Sequence, residues 1–250
     1  MSNEPPPRLR VAITGHRDLD PSGLEQVRRT LAEVLAALRD RVGPATLEVT
    51  PGMADGADQL AVAAAEELGL AARAVLPKPL ADYRNELSPA GRAAVDEFVG
   101  GQARPVDVVA GVAPGSGDDD VAPYLNLGRF LARDSHVVIA LWDGDSERKP
   151  GGTLDVLARF VDRSYSADID NDPPRTIEPR NGEVHNTGPV GIWIPAARVD
   201  GPSVAASTPR FVIGTGVRGV WRTTDSMPTE LLELLDSTAE TARVVRASRP

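Results

Sequence analysis

Residues 136–142 read His-Val-Val-Ile-Ala-Leu-Trp, apolar at nearly every position and rich in β-branched side chains. A strand with one wet face alternates polar and apolar residues, whereas a strand apolar on both faces has to be covered on both. Such a run belongs in the middle of a parallel sheet with helices above and below. This predicts an α/β fold, a Rossmann-like open, mostly parallel sheet with helices on both faces.

The rest of the chain supplies alternating partners for that strand. Residues 9–14 are a short apolar run ending at Gly15, and Asp20-Pro21 then serves as a helix start. Leu24, Val27, Leu31, Val34, Leu35, Leu38 and Val42 recur at helical spacing up to Gly43. Residues 46–50 read as a second strand and 55–68 as a helix whose inner face, Ala57, Leu60, Ala61, Ala64, Ala65 and Leu68, is small enough to lie close to a sheet. Strands are expected at 71–76 and 106–112, with helix between them over 80–99 interrupted at Ser88-Pro89. Helices are expected at 124–133 and 153–163, strands at 190–195 and 210–213, and a last helix at 229–243. Residues 164–189 are rich in Asp, Asn, Pro and Gly without periodicity and read as an irregular loop. The expected organisation is one domain over 9–243, with disordered tails at 1–8 and 244–250.

Composition narrows the chemistry. The chain has 250 residues and no cysteine, which removes disulfides, thiolate metal sites and cysteine nucleophiles and fits a reducing compartment. With no apolar leader and no apolar run near the length of a bilayer, the expected location is the cytoplasm. The net charge of -9 disfavours a nucleic-acid or anionic-membrane partner, which needs a basic face. Aromatic residues make up 4%, leaving little for base stacking along a single strand. His16, His136 and His185 lack metal-ligand spacing, and the acidic runs at 118–120 and 168–172 lack the glycine and distal glutamate of a calcium loop. No metal or cofactor is implied.

Three glycine-bearing turns follow strands, so all three fall on the carboxyl edge of the sheet, where ligands of such folds bind. They are Gly15-His16-Arg17, the segment from Pro51 and Gly52 through Met53, Ala54, Asp55, Gly56 and Ala57 to Asp58, and the segment from Asp143 and Gly144 to Gly151, Gly152 and Thr153. Glycines and alanines at the start of a helix leave backbone N–H groups open to a phosphate. The competing reading of each is a tight turn built for packing alone. The second turn is neither a P-loop nor a GxGxxG fingerprint.

Taken together, VAITGHRDL, PGMADGADQLA and HVVIALWDGDSERKPGGTLDVL resemble the SLOG superfamily, over about residues 10–163 with a weaker echo at 188–198. That Rossmann-like group includes the Lonely Guy cytokinin-activating enzymes, DNA-processing protein A and nucleotide-sensing domains of bacterial conflict systems. The resemblance implies a ligand phosphate at residues 52–57, closed from the other side by Gly151, Gly152 and Thr153. The ligand would be a nucleotide, a nucleotide-derived signal or an NAD-related metabolite, with a second copy of the chain as a candidate partner. The phosphoribohydrolases of the group carry PGGxGTxxE. With Thr153 on that threonine, the glutamate falls on Val156 and Asp155 is one residue short. The expected function is therefore nucleotide binding or sensing, with N-glycosidic hydrolysis through Asp143, Asp155 and Arg133 as the alternative and single-stranded DNA binding as a third.

Among the charged candidates, Arg17 sits in the first turn, and Arg84, Arg129 and Arg133 are the other guanidinium groups expected near the crevice. Asp58 reads as a brace for the second turn or a partner for a ribose hydroxyl. Asp143, leaving a buried strand at the carboxyl edge, reads as a ligand contact or a turn aspartate.

Overall fold

A computed structural model describes residues 8–100, 106–109, 121–146, 149–162, 189–202, 204, 208–214 and 221–247. Residues 1–7, 163–188 and 248–250 lie outside the described residues, and with them most of the N-terminal tail expected at 1–8 and of the irregular segment expected at 164–189. Of the tail expected at 244–250, residues 244–247 are instead the end of the last helix.

In chain order the elements are β1 (Leu9–Gly15), α1 (Leu24–Val42), β2 (Leu47–Thr50), α2 (Ala57–Glu67), β3 (Ala71–Ala72), β4 (Ala74–Leu76), α3 (Leu80–Tyr83), α4 (Pro89–Gly100) and β5 (Val106–Val108). They continue with α5 (Ala122–Asp134), β6 (Val137–Trp142), α6 (Thr153–Val161), β7 (Val190–Pro195), β8 (Arg210–Gly214), β9 (Trp221–Thr224) and α7 (Thr229–Ala247). The main sheet has the order β3-β2-β1-β6-β7-β8-β9. It is parallel from β3 to β7 and antiparallel at β8 and β9.

Alternation along the central strands sorts the core into two layers. Val11 and Ile13 of β1 with Val137, Ile139 and Leu141 of β6 pack under α1, α2 and α7. Ala12, Val138 and Ala140 face α5 and α6 through Leu131, Leu157 and Phe160. A third cluster joins Met53, Leu76, Tyr83, Val95 and Phe98 beneath α3 and α4. The fold is Rossmann-like, with helices on both faces of a mainly parallel sheet.

Several local expectations need correction. The strand expected at 71–76 is split: Arg73 donates to the Val49 carbonyl and Val75 to the Pro51 carbonyl, but Pro51 has no N–H to extend the ladder. Beyond that point β4 pairs with β5 instead, in a separate two-stranded sheet. Asp20 does not cap α1. Its carboxylate accepts the Ser22 N–H at 2.9 Å and closes a turn one step earlier, and the helix starts after Gly23. The second helix starts at Ala57 and not at Asp55, because Gly56 has φ 77 and cannot be helical. The polar edge strand β9 carried no pattern to announce it.

Candidate ligand-binding cleft

The strand after β1 in the chain lies on one side of it, and β6 lies on the other, so the edge between β1 and β6 is where the strand order reverses. In open α/β sheets such a reversal leaves a crevice beyond the strand ends. A cleft of about 320 Å³ occupies this place, within the size range of small-molecule sites. All three turns reach it: Gly15, His16 and Arg17 from the first, Gly52, Ala54 and Asp58 from the second, and Gly151, Gly152 and Thr153 from the third.

The other residues picked out from the sequence lie elsewhere. Met53 is buried in the third cluster with φ 63, its side chain turned into the core and not toward the cleft. Asp55 is taken up by Ser88, accepting its N–H at 3.0 Å and its hydroxyl at 2.6 Å, and Ser88 Oγ in turn accepts the Gly91 N–H to start α4. Gly56 and Ala57 lie beneath the first turn. A Cβ on Gly56 would stand 2.5 Å from the His16 carbonyl oxygen, and Ala57 N–H already donates to that oxygen at 3.1 Å. Gly144 packs against the Trp193 ring. Arg84 pairs with Asp96 at 2.6 Å, and neither it nor Arg129 nor Arg133 borders the cleft.

The amides of the second turn are therefore spoken for. Asp58 Oδ2 accepts the Ala54 N–H at 2.9 Å and the Asp58 carboxylate also takes the Gly52 N–H, while Ala57 serves His16. The third turn is braced in the same way: Asp155 Oδ2 accepts the Gly151 N–H at 3.0 Å and the Arg159 Nε–H at 2.9 Å. Gly151, at φ 71, lies so close to α5 that a Cβ would stand 2.6 Å from the Tyr124 carbonyl carbon. What the third turn leaves open is the start of α6. It has no side-chain cap, and the Thr153 and Leu154 N–H groups have no hydrogen-bond partner among the described residues. Val156, at the glutamate position of the phosphoribohydrolase pattern, is an apolar side chain lining the cleft.

Asp143 stands behind the cleft with a fully buried side chain. Its Oδ2 accepts the Arg198 Nε–H at 2.7 Å, and its Oδ1 accepts the Asp145 N–H at 3.0 Å and lies 3.1 Å from His16 Nε2. Burial opposes its charge, but the Asp145 amide, Arg198 and His16 outweigh it and hold the carboxyl below the usual carboxylate range. His16 Nε2 also accepts the Asp143 N–H at 3.1 Å. Burial lowers the imidazole below its ordinary value despite the neighbouring carboxylate, so at pH 7 it is neutral. Asp58 is the opposite case. Burial pushes it up to about 6, against the pull of the Ala54 and Gly52 amides and Arg17.

Residues that sequence reasoning missed complete the walls. Tyr83, Tyr124 and Trp142 border the cleft, half of the chain's Tyr and Trp residues, together with Leu127, Lys149 and Arg198. Arg17 lies over the Tyr124 ring at 5.1 Å and, among the described residues, pairs with no carboxylate. The scarcity of aromatics hid their concentration at one place. Arg198 lay within the weak echo at 188–198, the one signal that could have singled it out.

No family model matches the chain, and no curated protein matches it. Among solved structures it is similar to DNA processing protein A from Streptococcus pneumoniae, with 20% identity and a TM-score of 0.42 over 64% of this chain and 48% of that one. The chain thus matches about half the length of that protein. No helix among the described residues is long and apolar enough to cross a membrane. The sheet order and the strand-end cleft make the chain a Rossmann-like domain with its candidate site at the reversal between β1 and β6.

Proposed function

We propose that the cleft binds a nucleotide or nucleotide derivative and that the chain is a binding or sensing domain of the SLOG kind. The observation that carries this is the convergence on one cleft with aromatic walls of Arg17, which pairs with no carboxylate among the described residues, and the start of α6, whose Thr153 and Leu154 N–H groups have no partner among them. A guanidinium and helix-start amides suit a phosphate, and tyrosine and tryptophan rings suit a base. The ligand phosphate sits at the α6 start in this reading, since the second turn gives its Gly52, Ala54 and Ala57 amides to Asp58 and His16.

Binding is favoured over hydrolysis because the acidic candidates are committed within the protein. Asp155 is buried against Gly151 and Arg159, and Asp143 against Arg198 and Asp145. The test is incubation with nucleoside monophosphates and NAD-related compounds, read by thermal shift and by chromatography of the same samples. Stabilisation with the compound recovered intact is the expected result, about 2.7 kcal/mol at a hundredfold excess over Kd. Released base or ribose phosphate would make the chain an enzyme.

A further inference from the structure

The two ends of the cleft differ in chemistry. At the α6 start the protein offers N–H donors and Lys149 stands nearby. At the second turn it offers an acceptor. Asp58 is only 8% exposed, and its Oδ2 accepts the Ala54 N–H, but its Oδ1 is buried without a hydrogen-bond partner among the described residues. Buried polar atoms are almost always paired, so an orphaned carboxylate oxygen on a residue that lines a cleft asks for a donor from outside the chain.

The neighbours of Asp58 restrict what that donor is. Tyr83 and Arg17 are the charged or titratable groups of the cleft that act on it. Tyr83 also borders the cleft, and its hydroxyl has no hydrogen bond among the described residues. A phosphate at neutral pH has only acceptors and negative charge to bring, so it is excluded from the carboxylate and directed to the other end. Leu127, Leu131 and Trp142 give the faces of a base an apolar wall. The part of a nucleotide that carries hydrogen-bond donors whatever the base is the ribose.

We propose that Asp58 is the specificity-determining acceptor of the cleft, its unpartnered Oδ1 taking a hydrogen bond from a ribose hydroxyl, so that the ligand is a ribonucleotide and not a deoxynucleotide. This rests on the nucleotide reading above. An exocyclic amine of a base offers the same donor chemistry, and the probes below separate the two, since uridine has no such amine.

The experiment is calorimetric titration of the full chain at neutral pH with AMP, GMP, CMP and UMP and with their 2′,3′-dideoxy counterparts, repeated on Asp58→Asn. The wild type is expected to prefer the ribonucleotide by roughly 10- to 100-fold, UMP included if it binds, as for hydrogen bonds to a charged acceptor. In Asp58→Asn the preference is expected to shrink to within about threefold, because the side chain now presents an amide where the acceptor stood. Equal binding of ribo and dideoxy forms by the wild type overturns the inference while the nucleotide reading stands, and this arm needs no variant to fold. A preference that survives Asp58→Asn, or one confined to amine-bearing bases, overturns it as well. Binding of none of the eight compounds overturns it too, and the nucleotide reading falls with it only if the NAD-related compounds also fail to bind.

Discussion

Asp58 and Asp155 brace two different turns in one way, each carboxylate accepting the backbone N–H of the residue four positions before it, Ala54 at 2.9 Å and Gly151 at 3.0 Å. Each carboxylate stands in the first turn of a helix, and each folds its glycine-bearing turn back over the helix start. The difference lies in what else each carboxylate meets. Asp155 Oδ2 also takes the Arg159 Nε–H, whereas Asp58, a residue of the cleft wall, keeps a buried Oδ1 without a partner among the described residues. One turn is locked by a closed ion pair, the other by a carboxylate with capacity left over.

This difference predicts a pH effect on stability. Asp58 is pushed up to about 6 from 3.8, chiefly by burial, so the folded chain holds this proton more tightly than the unfolded one. Its contribution to stability is complete below pH 3.8 and is lost as the pH rises through about 6. Asp58→Asn carries no such charge. Urea unfolding is expected to show the variant gaining on the wild type between about pH 4 and 7, by up to ~3 kcal/mol. A difference that stays flat across that range would contradict the account.

Arg198→Ala leaves the buried Asp143 carboxylate with the Asp145 amide and a neutral His16. Losing one partner of such a pair is expected to cost ~2–4 kcal/mol at neutral pH. Because the folded-state pKa of Asp143 is depressed, the stability this carboxylate contributes is present above its unfolded value and lost as the pH falls through its folded value. The defect of Arg198→Ala should therefore shrink below about pH 4, where a protonated carboxyl needs no counter-ion. Urea titrations of wild type and variant on both sides of that pH check it, and an unchanged defect at low pH would point to lost packing instead.

Gly56→Ala places a side chain at φ 77 and 2.5 Å from the His16 carbonyl oxygen. The expected loss is ~2 kcal/mol or more, from left-handed backbone and from pushing the first turn off the second. Gly23→Ala is the comparison, with φ -100 and nothing within 4 Å of a Cβ. It should stay within about 0.5 kcal/mol of the wild type. Equal losses in thermal melts of the two variants would mean that the packing of the turns does not depend on Gly56.

The parts legible in the sequence were those that depend on pattern. The doubly apolar run at 136–142, the small-residue face of α2 and the glycine turns placed the sheet, the helices and the edge at which a cleft forms. What pattern could not supply was where hydrogen bonds go. Asp55 and Asp58 are three residues apart in one turn, yet Asp55 holds Ser88 and Asp58 faces the cleft. The amides of Gly52, Ala54 and Ala57 looked open to a phosphate because glycine and alanine do not cover them, and the chain's own oxygens fill them. Arg198 and Tyr83 reach the site from distant segments, and no spacing rule links them to the turns.

The measurement that bears most directly on the account is calorimetric titration of nucleoside monophosphates and NAD-related compounds into the wild type and Arg17→Ala. Arg17 is exposed over Tyr124 and holds no ion pair among the described residues, so its removal is expected to leave the melting temperature unchanged. The account predicts binding of at least one compound by the wild type, and a roughly 10- to 100-fold loss in Arg17→Ala, as for a charged hydrogen bond to phosphate. No binding at millimolar concentration, or binding indifferent to Arg17, would contradict it.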